Sequence, residues 1–154
     1  MWIATWRSVR LRQFRRIRTW VYSPPSGGKS IPLEFKARTE RRILAYAAKH
    51  YSGKFTRVDV RFHGALCYID AYTDPDLAPG STPSTGETRK EWIERLRNVP
   101  LHLCRIRYFG NDDHWSFAWY TYAHEKYEPS FLIIGEDHGT AEEAFETSAQ
   151  FYSR

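Results

Sequence analysis

The chain has 154 residues, of which 42% are hydrophobic and 16% aromatic, and its formal net charge is +5 at pH 7. This amount of apolar material supports a buried core, so the composition excludes a wholly disordered chain. No stretch reaches the ~18 consecutive apolar residues of a membrane-spanning helix, and the N-terminus lacks the apolar segment and small-residue cleavage site of a secretory signal.

The positive charge is concentrated at the N-terminus. Residues 1–30 contain no acidic side chain, whereas residues 31–154 carry a slight excess of acidic residues. We therefore predict a basic, Arg/Trp-rich arm with a Pro/Gly linker over residues 1–30, and a single domain over residues 31–154. The candidate contacts of this arm with an anionic partner are Arg10, Arg12, Arg15, Arg16 and Arg18.

Three interpretations of the arm stay open from its sequence. It could form a basic amphipathic helix on a nucleic acid or an anionic membrane. An Arg-rich segment without acidic residues is also typical of an organelle transit peptide. The helical period of its apolar residues is broken, which favours the third interpretation, a poorly ordered extension.

The segment SPPSGGKS, residues 23–30, ends like a phosphate-binding loop. That motif requires a glycine where this chain has Ser23, and it presents backbone N–H groups to the phosphate. Pro24 and Pro25 have no N–H group to present. We therefore predict a linker here and expect no nucleotide or other cofactor.

The next elements are a helix and a hairpin. Apolar residues in one helical stripe predict a helix from about Leu33 to Tyr51. The pattern then changes to the two-residue alternation of strands over residues 55–62 and 65–72. Because only His63 and Gly64 separate these two stretches, we expect an antiparallel hairpin.

A Pro/Gly/Ser/Thr-rich loop over residues 73–87 separates the hairpin from the second half of the chain. Thr88 and Glu91 then form the capping box of a short helix that ends before Pro100. Strands are predicted at residues 101–108 and 115–123, with a short fifth strand at residues 131–134.

A second capping box, Thr140 with Glu143, begins the last helix. Because the turns between the strands are short, the strands must pair in antiparallel fashion. The fold class is therefore α+β: an antiparallel sheet of four to five strands, with the N- and C-terminal helices packed on one face.

Two stretches, RFHGALCYIDAY and PLHLCRIRYFGNDDHWSFAWYTYAHEKYEPS, carry a resemblance through the spacing of their glycine, aromatic and charged residues. Over residues 32–154 the chain resembles a group of short, uncharacterised bacterial proteins. The resemblance implies a stand-alone domain and implies no activity, cofactor or partner.

The chain contains only two cysteines, Cys67 and Cys104, and both lie in strand-like apolar runs. Two buried thiols and no secretory signal favour a cytoplasmic protein, although a cross-strand disulfide stays open. No Cys-x-x-Cys pair is present, so we expect no metal site.

Alternation along the strands divides the sheet into two faces. The residues predicted to face the helices include Val58, Ile69, Cys104 and Phe117. The opposite face, which we call the outer face, is predicted to carry aspartates, Leu103 and a set of arginines and tyrosines. The candidate ligand-binding residues of this face are Arg57, Arg61, Tyr68, Tyr72, Arg105, Arg107, Tyr120 and Tyr122.

Arginines and flat aromatic rings together are typical of surfaces that bind single-stranded nucleic acid. The same residue types also pair across strands on any solvated antiparallel face. We therefore expect a non-enzymatic binding or accessory module for nucleic acid or an acidic protein. No sequence feature indicates the oligomeric state.

Two alternative functions stay open. The first is a small hydrolase-like enzyme that uses His124, Glu128 or Asp113 at strand ends, or a Cys104 nucleophile with His102 on the same strand face. Burial of the thiol argues against the latter. The second alternative is a structural subunit of a larger complex, with the aromatic residues buried between chains.

Overall fold

A computed structural model describes residues 27–152 of the chain. The arginines of the predicted arm, Arg10, Arg12, Arg15, Arg16 and Arg18, lie outside the described residues. None of the helices within residues 27–152 has the length and apolar character needed to cross a membrane.

The described chain contains three helices and a mostly meandering antiparallel sheet. The helices are α1 (Leu33–His50), α2 (Arg89–Arg97) and α3 (Ala141–Tyr152). The strands are β1 (Arg57–His63), β2 (Leu66–Tyr72), β3 (Leu101–Tyr108), β4 (Trp115–Thr121), β5 (Lys126–Pro129) and β6 (His138–Gly139). Strands β1 to β5 lie side by side in chain order, and β6 pairs with β4. The α+β class and the antiparallel sheet are thus confirmed.

Helices α1 and α3 pack on each other and on the sheet. Ile43 of α1 and Phe145 of α3 are fully buried, together with the sheet residues Cys67, Ile69 and Ile106. Burying side chains of this size stabilises the fold by roughly 1.5–3 kcal/mol each. The opposite face of the sheet is not packed by α1 or α3.

Both predicted capping boxes are present. The Thr88 side chain accepts the Glu91 N–H, and the Glu91 carboxylate accepts the Thr88 N–H. Thr140 and Glu143 make the same pair of contacts at the start of α3, at 2.8 and 3.2 Å. These contacts satisfy N–H groups that the first helical turn leaves without partners.

Strand β3 contains a β-bulge that the two-residue alternation did not reveal. Ile69 of β2 pairs with Cys104, but the next residue, Asp70, pairs with His102. Leu103 is the extra residue, and both it and Cys104 are buried at 0–1% exposure. The predicted outward position of Leu103 is therefore wrong, because the bulge turns two successive side chains towards the helices.

The fifth strand lies at Lys126–Pro129, not at the predicted residues 131–134. In that apolar stretch Leu132 is buried, whereas Phe131, Ile133 and Ile134 are 55–59% exposed. The Gly135 N–H donates to the Leu132 carbonyl at 2.8 Å, which makes the stretch part of a turn. An apolar run of four residues does not distinguish a strand from a turn with one anchoring side chain.

The end of the predicted linker packs on the domain. The Lys29 N–H donates to the Tyr108 carbonyl at 2.9 Å, and the Ile31 N–H donates to the Gly64 carbonyl at 3.2 Å. Gly28 has a φ of 87°, and a Cβ there would meet the Tyr108 carbonyl oxygen at 2.9 Å. The Lys29 amide, which a phosphate loop would present to a nucleotide, is thus donated within the chain.

Candidate functional site

Cross-strand pairing brings most of the predicted binding residues together on the outer face. Arg61 pairs with Tyr68, which in turn pairs with Arg105, so these three form a row across β1, β2 and β3. Arg57 pairs with Tyr72 at one end of this face, and Arg107 lies at the other. Tyr120 belongs to β4, and Tyr122 follows the end of that strand, 49% exposed.

Two of the four arginines already have carboxylate partners. Arg57 lies 3.1 Å from Asp59, with its guanidinium 3.9 Å from the centre of the Tyr72 ring. Arg61 donates two hydrogen bonds to one oxygen of Asp70, at 2.7 and 3.1 Å. These pairings reduce the charge that the β1 side of the face offers to a ligand.

Arg105 and Arg107 differ from that pair. Neither has a carboxylate within 4.0 Å in the described part of the chain. Arg105 lies 5.3 Å from the centre of the Tyr127 ring, and Arg107 donates to the Gly27 carbonyl at 3.0 Å. Burial lowers the pKa of Arg107, and the neighbouring Arg105 charge lowers it further.

Asp70 was expected on the exposed surface of the outer face, but it is only 3% exposed. One of its oxygens accepts from Arg61, and the other lies 2.7 Å from Nδ1 of His102. Side chains from β1 and β3 thus bind the Asp70 carboxylate. A buried carboxylate needs this degree of pairing, because an unpaired one would have a large desolvation cost.

Three tyrosines surround His102. The imidazole lies 4.7 Å from the Tyr120 ring, 6.5 Å from the Tyr122 ring and 6.4 Å from the Tyr127 ring, measured between ring centres. The Tyr122 hydroxyl oxygen also accepts the His102 backbone N–H at 2.9 Å. Burial, and next the Asp70 charge, raise the pKa of Tyr127, so its hydroxyl is protonated at neutral pH.

Sequence reasoning missed Tyr127 and did not connect His102 with Asp70. Tyr127 lies opposite Tyr120 in the β4–β5 pair and so shares its face. The available signal was the short turn between Tyr122 and Lys126, which is compatible with a tight hairpin. The adjacent apolar residues Leu103 and Cys104 were the available signal for the bulge.

The suggested pairing of a Cys104 nucleophile with His102 is wrong. The bulge places the two side chains on opposite faces of the sheet, and Cys104 is fully buried. Burial raises the pKa of the Cys104 thiol to about 12, so the reactive thiolate is not formed at neutral pH. Cys67 is also buried, and neither cysteine forms a disulfide.

The candidate catalytic residues at strand ends do not form one site. Asp113 lies in the turn before β4 and is 2.9 Å from Arg42 of α1. His124 and Glu128 contact each other at 2.8 Å beyond the other end of β4. The length of β4 therefore separates the two groups. Within residues 27–152, no three His, Cys, Asp or Glu side chains are grouped so that they could hold a metal ion.

Comparison with known proteins assigns the chain to no family. No protein-family model, no curated protein and no solved structure matches the chain. The function proposed below therefore depends on the contacts, burial and charges of residues 27–152.

Proposed function

We propose that this protein is a binding module for single-stranded nucleic acid and that the outer face of its sheet is the binding surface. The observation that carries the proposal is the pair Arg105 and Arg107, two neighbouring cations without a carboxylate partner in the described chain. They project from β3, in the middle of the sheet, on the side away from α1 and α3.

Aromatic rings lie on both sides of these arginines. Tyr68 on β2 is paired with Arg105, and Tyr127 on β5 lies within cation–π distance of it. Arginine can neutralise phosphates, and each base stacked on an exposed ring contributes roughly 1–3 kcal/mol. The rings add stacking on bases to the phosphate contacts of the arginines, so the combination favours nucleic acid.

The predicted arm joins the domain at the rim of this surface. The described chain begins at Gly27, whose carbonyl accepts from Arg107. We further propose that the arginines of the predicted arm strengthen binding through phosphate contacts and not through recognition of base sequence.

The test is binding of a labelled single-stranded RNA and the corresponding DNA, measured by fluorescence anisotropy over a range of salt concentrations. The double variant Arg105→Ala/Arg107→Ala should bind at least tenfold more weakly, and the slope of log K against log salt should fall by about 2. The matched control is Arg41→Ala/Lys49→Ala, which removes the same charge from exposed positions on α1.

Three results would contradict the proposal. One is the absence of binding at low salt, and another is an equal loss in the α1 control, which would indicate attraction to net charge alone. The third is tighter binding of polyglutamate than of either nucleic acid, which would indicate an acidic protein partner.

A further inference from the structure

His102 is held in one orientation, and one of its ring nitrogens is left available. Its Nδ1 contacts the buried Asp70 carboxylate, whose second oxygen is bound by Arg61. Within residues 27–152, Nε2 has no hydrogen-bonding partner, and the side chain is 30% exposed. A carboxylate at Nδ1 fixes the tautomer so that Nε2 carries the lone pair and can accept a proton.

Two other histidines also contact a carboxylate through Nδ1, which allows a comparison. His138 contacts Asp137, its neighbour in the chain, and His124 contacts Glu128 across an exposed turn. Of these three histidines, His102 is the one whose carboxylate partner is buried, with 4% side-chain exposure against 32% for Glu128 and 33% for Asp137. A charged group buried on an otherwise solvated face has a desolvation cost, and such groups are enriched at functional sites.

The neighbours of His102 supply the other requirements of phosphoryl chemistry. Arg105 lies on the same face of β3 and is within reach of the Tyr127 ring, which also borders His102. The Tyr122 oxygen accepts the His102 N–H, so the hydroxyl proton of Tyr122 points elsewhere and can be donated. A base, a cation and a proton donor therefore surround the same area of the outer face.

We propose that the outer face cleaves the single-stranded RNA that it binds, with His102 as the general base and without a metal ion. This inference rests on the proposed nucleic-acid binding. His102 Nε2 takes the proton of a ribose 2′-hydroxyl, and the 2′-oxygen attacks the adjacent phosphorus. The bond from phosphorus to the 5′-oxygen breaks, and that oxygen takes the Tyr122 hydroxyl proton.

The products of this step are a 2′,3′-cyclic phosphate and a 5′-hydroxyl end. Arg105 stabilises the negative charge on the phosphoryl oxygens during the step. The proton on His102 then replaces the one that Tyr122 has lost, by way of solvent, so the protein returns to its starting state. No oxidant, reductant or cofactor is needed.

The experiment incubates the full chain with end-labelled single-stranded RNA in the presence of EDTA and measures cleavage and binding on the same samples. Wild-type protein should cleave RNA and leave the corresponding DNA intact, although it binds both. An RNA with a single 2′-deoxy nucleotide at the cleaved position should also resist cleavage, because it lacks the attacking 2′-hydroxyl. This substrate tests the chemistry without altering the protein.

The variant His102→Gln should lower the cleavage rate by about 10²–10⁴-fold, with RNA binding within about twofold of wild type. Its matched control is His124→Gln, which removes the exposed histidine–carboxylate pair and should cleave normally. Tyr122→Phe should also cleave slowly. Thermal melting shows whether each variant is folded.

The outcomes separate the two proposals. If the wild-type chain binds RNA but does not cleave it, or if His102→Gln cleaves as fast as wild type, the catalytic role is overturned and the binding function stands. If the chain does not bind RNA at all, the binding function fails, and the catalytic role with it. Normal cleavage by Tyr122→Phe would overturn Tyr122 as the proton donor.

Discussion

Asp70 illustrates what a single residue contributes at this site. Alternation along β2 predicts its face correctly, but its burial depends on the side chains that other strands place around it. Arg61 of β1 and His102 of β3 contact its carboxylate, and the bulge in β3 determines where His102 lies. Neither effect can be read from the residues next to Asp70 in the sequence.

Replacing Asp70 by Asn should lower the free energy of unfolding by about 1–3 kcal/mol. The change removes the only negative charge that Arg61 contacts among the described residues, and Arg61 is 57% exposed, so water offsets part of the loss. Urea denaturation monitored by tryptophan fluorescence measures this difference.

The matched control for this prediction is Asp59→Asn. Asp59 lies opposite Asp70 in the β1–β2 pair and contacts Arg57, but it is 38% exposed. Its replacement should change stability by less than about 0.5 kcal/mol. Equal losses in the two variants would show that burial does not distinguish the two aspartates.

The helices and the longer strands could be predicted from sequence because each has a strong local signal. Strand β3 is found at the predicted residues 101–108, and both capping boxes are formed. Strand β5 was missed because Lys126, Glu128 and Pro129 have low strand propensity, and pairing with β4 overrides that preference. The apolar residues 131–134 led to the opposite error, because they were predicted as a strand and belong to a turn.

The two capping boxes offer a comparison between elements. Thr140→Ala should lower the free energy of global unfolding by about 1 kcal/mol, because α3 carries a large share of the buried core. Thr88→Ala should leave global unfolding nearly unchanged, since α2 has no buried residue. Its effect should appear as faster hydrogen exchange of the α2 amides.

Chemical denaturation and hydrogen exchange of both variants check this prediction. The interpretation of α2 as a peripheral element would be wrong if Thr88→Ala reduced global stability as much as Thr140→Ala does. The two changes are chemically identical, so any difference reports how each helix is attached to the rest of the molecule.

For the molecule as a whole, the contacts of residues 27–30 show that the folded unit extends to the N-terminal side of residue 31. The sequence placed the boundary at residue 31 from composition, but composition cannot reveal backbone hydrogen bonds. Gly28 lies against the Tyr108 carbonyl and the side chain of Ala65, a position that only a glycine can occupy.

A chain that lacks residues 1–30 should be less stable than one that lacks residues 1–26 by about 1–2 kcal/mol, because the hydrogen bonds from Lys29 to Tyr108 and from Arg107 to Gly27 are lost. Urea denaturation of the two truncated chains measures the difference. Equal stability of the two truncated chains would mean that these contacts contribute nothing to folding.

The bulge at Leu103 decides which side chains of β3 lie on the outer face. If β3 paired without a bulge, Leu103 would lie opposite Asp70 and His102 opposite Ala71. His102 would then face the helices, and Leu101 would lie on the outer face. Deletion of Leu103 would remove the bulge and leave His102 opposite Asp70, so the imidazole depends on the irregular step in the pairing and not on the identity of the extra residue.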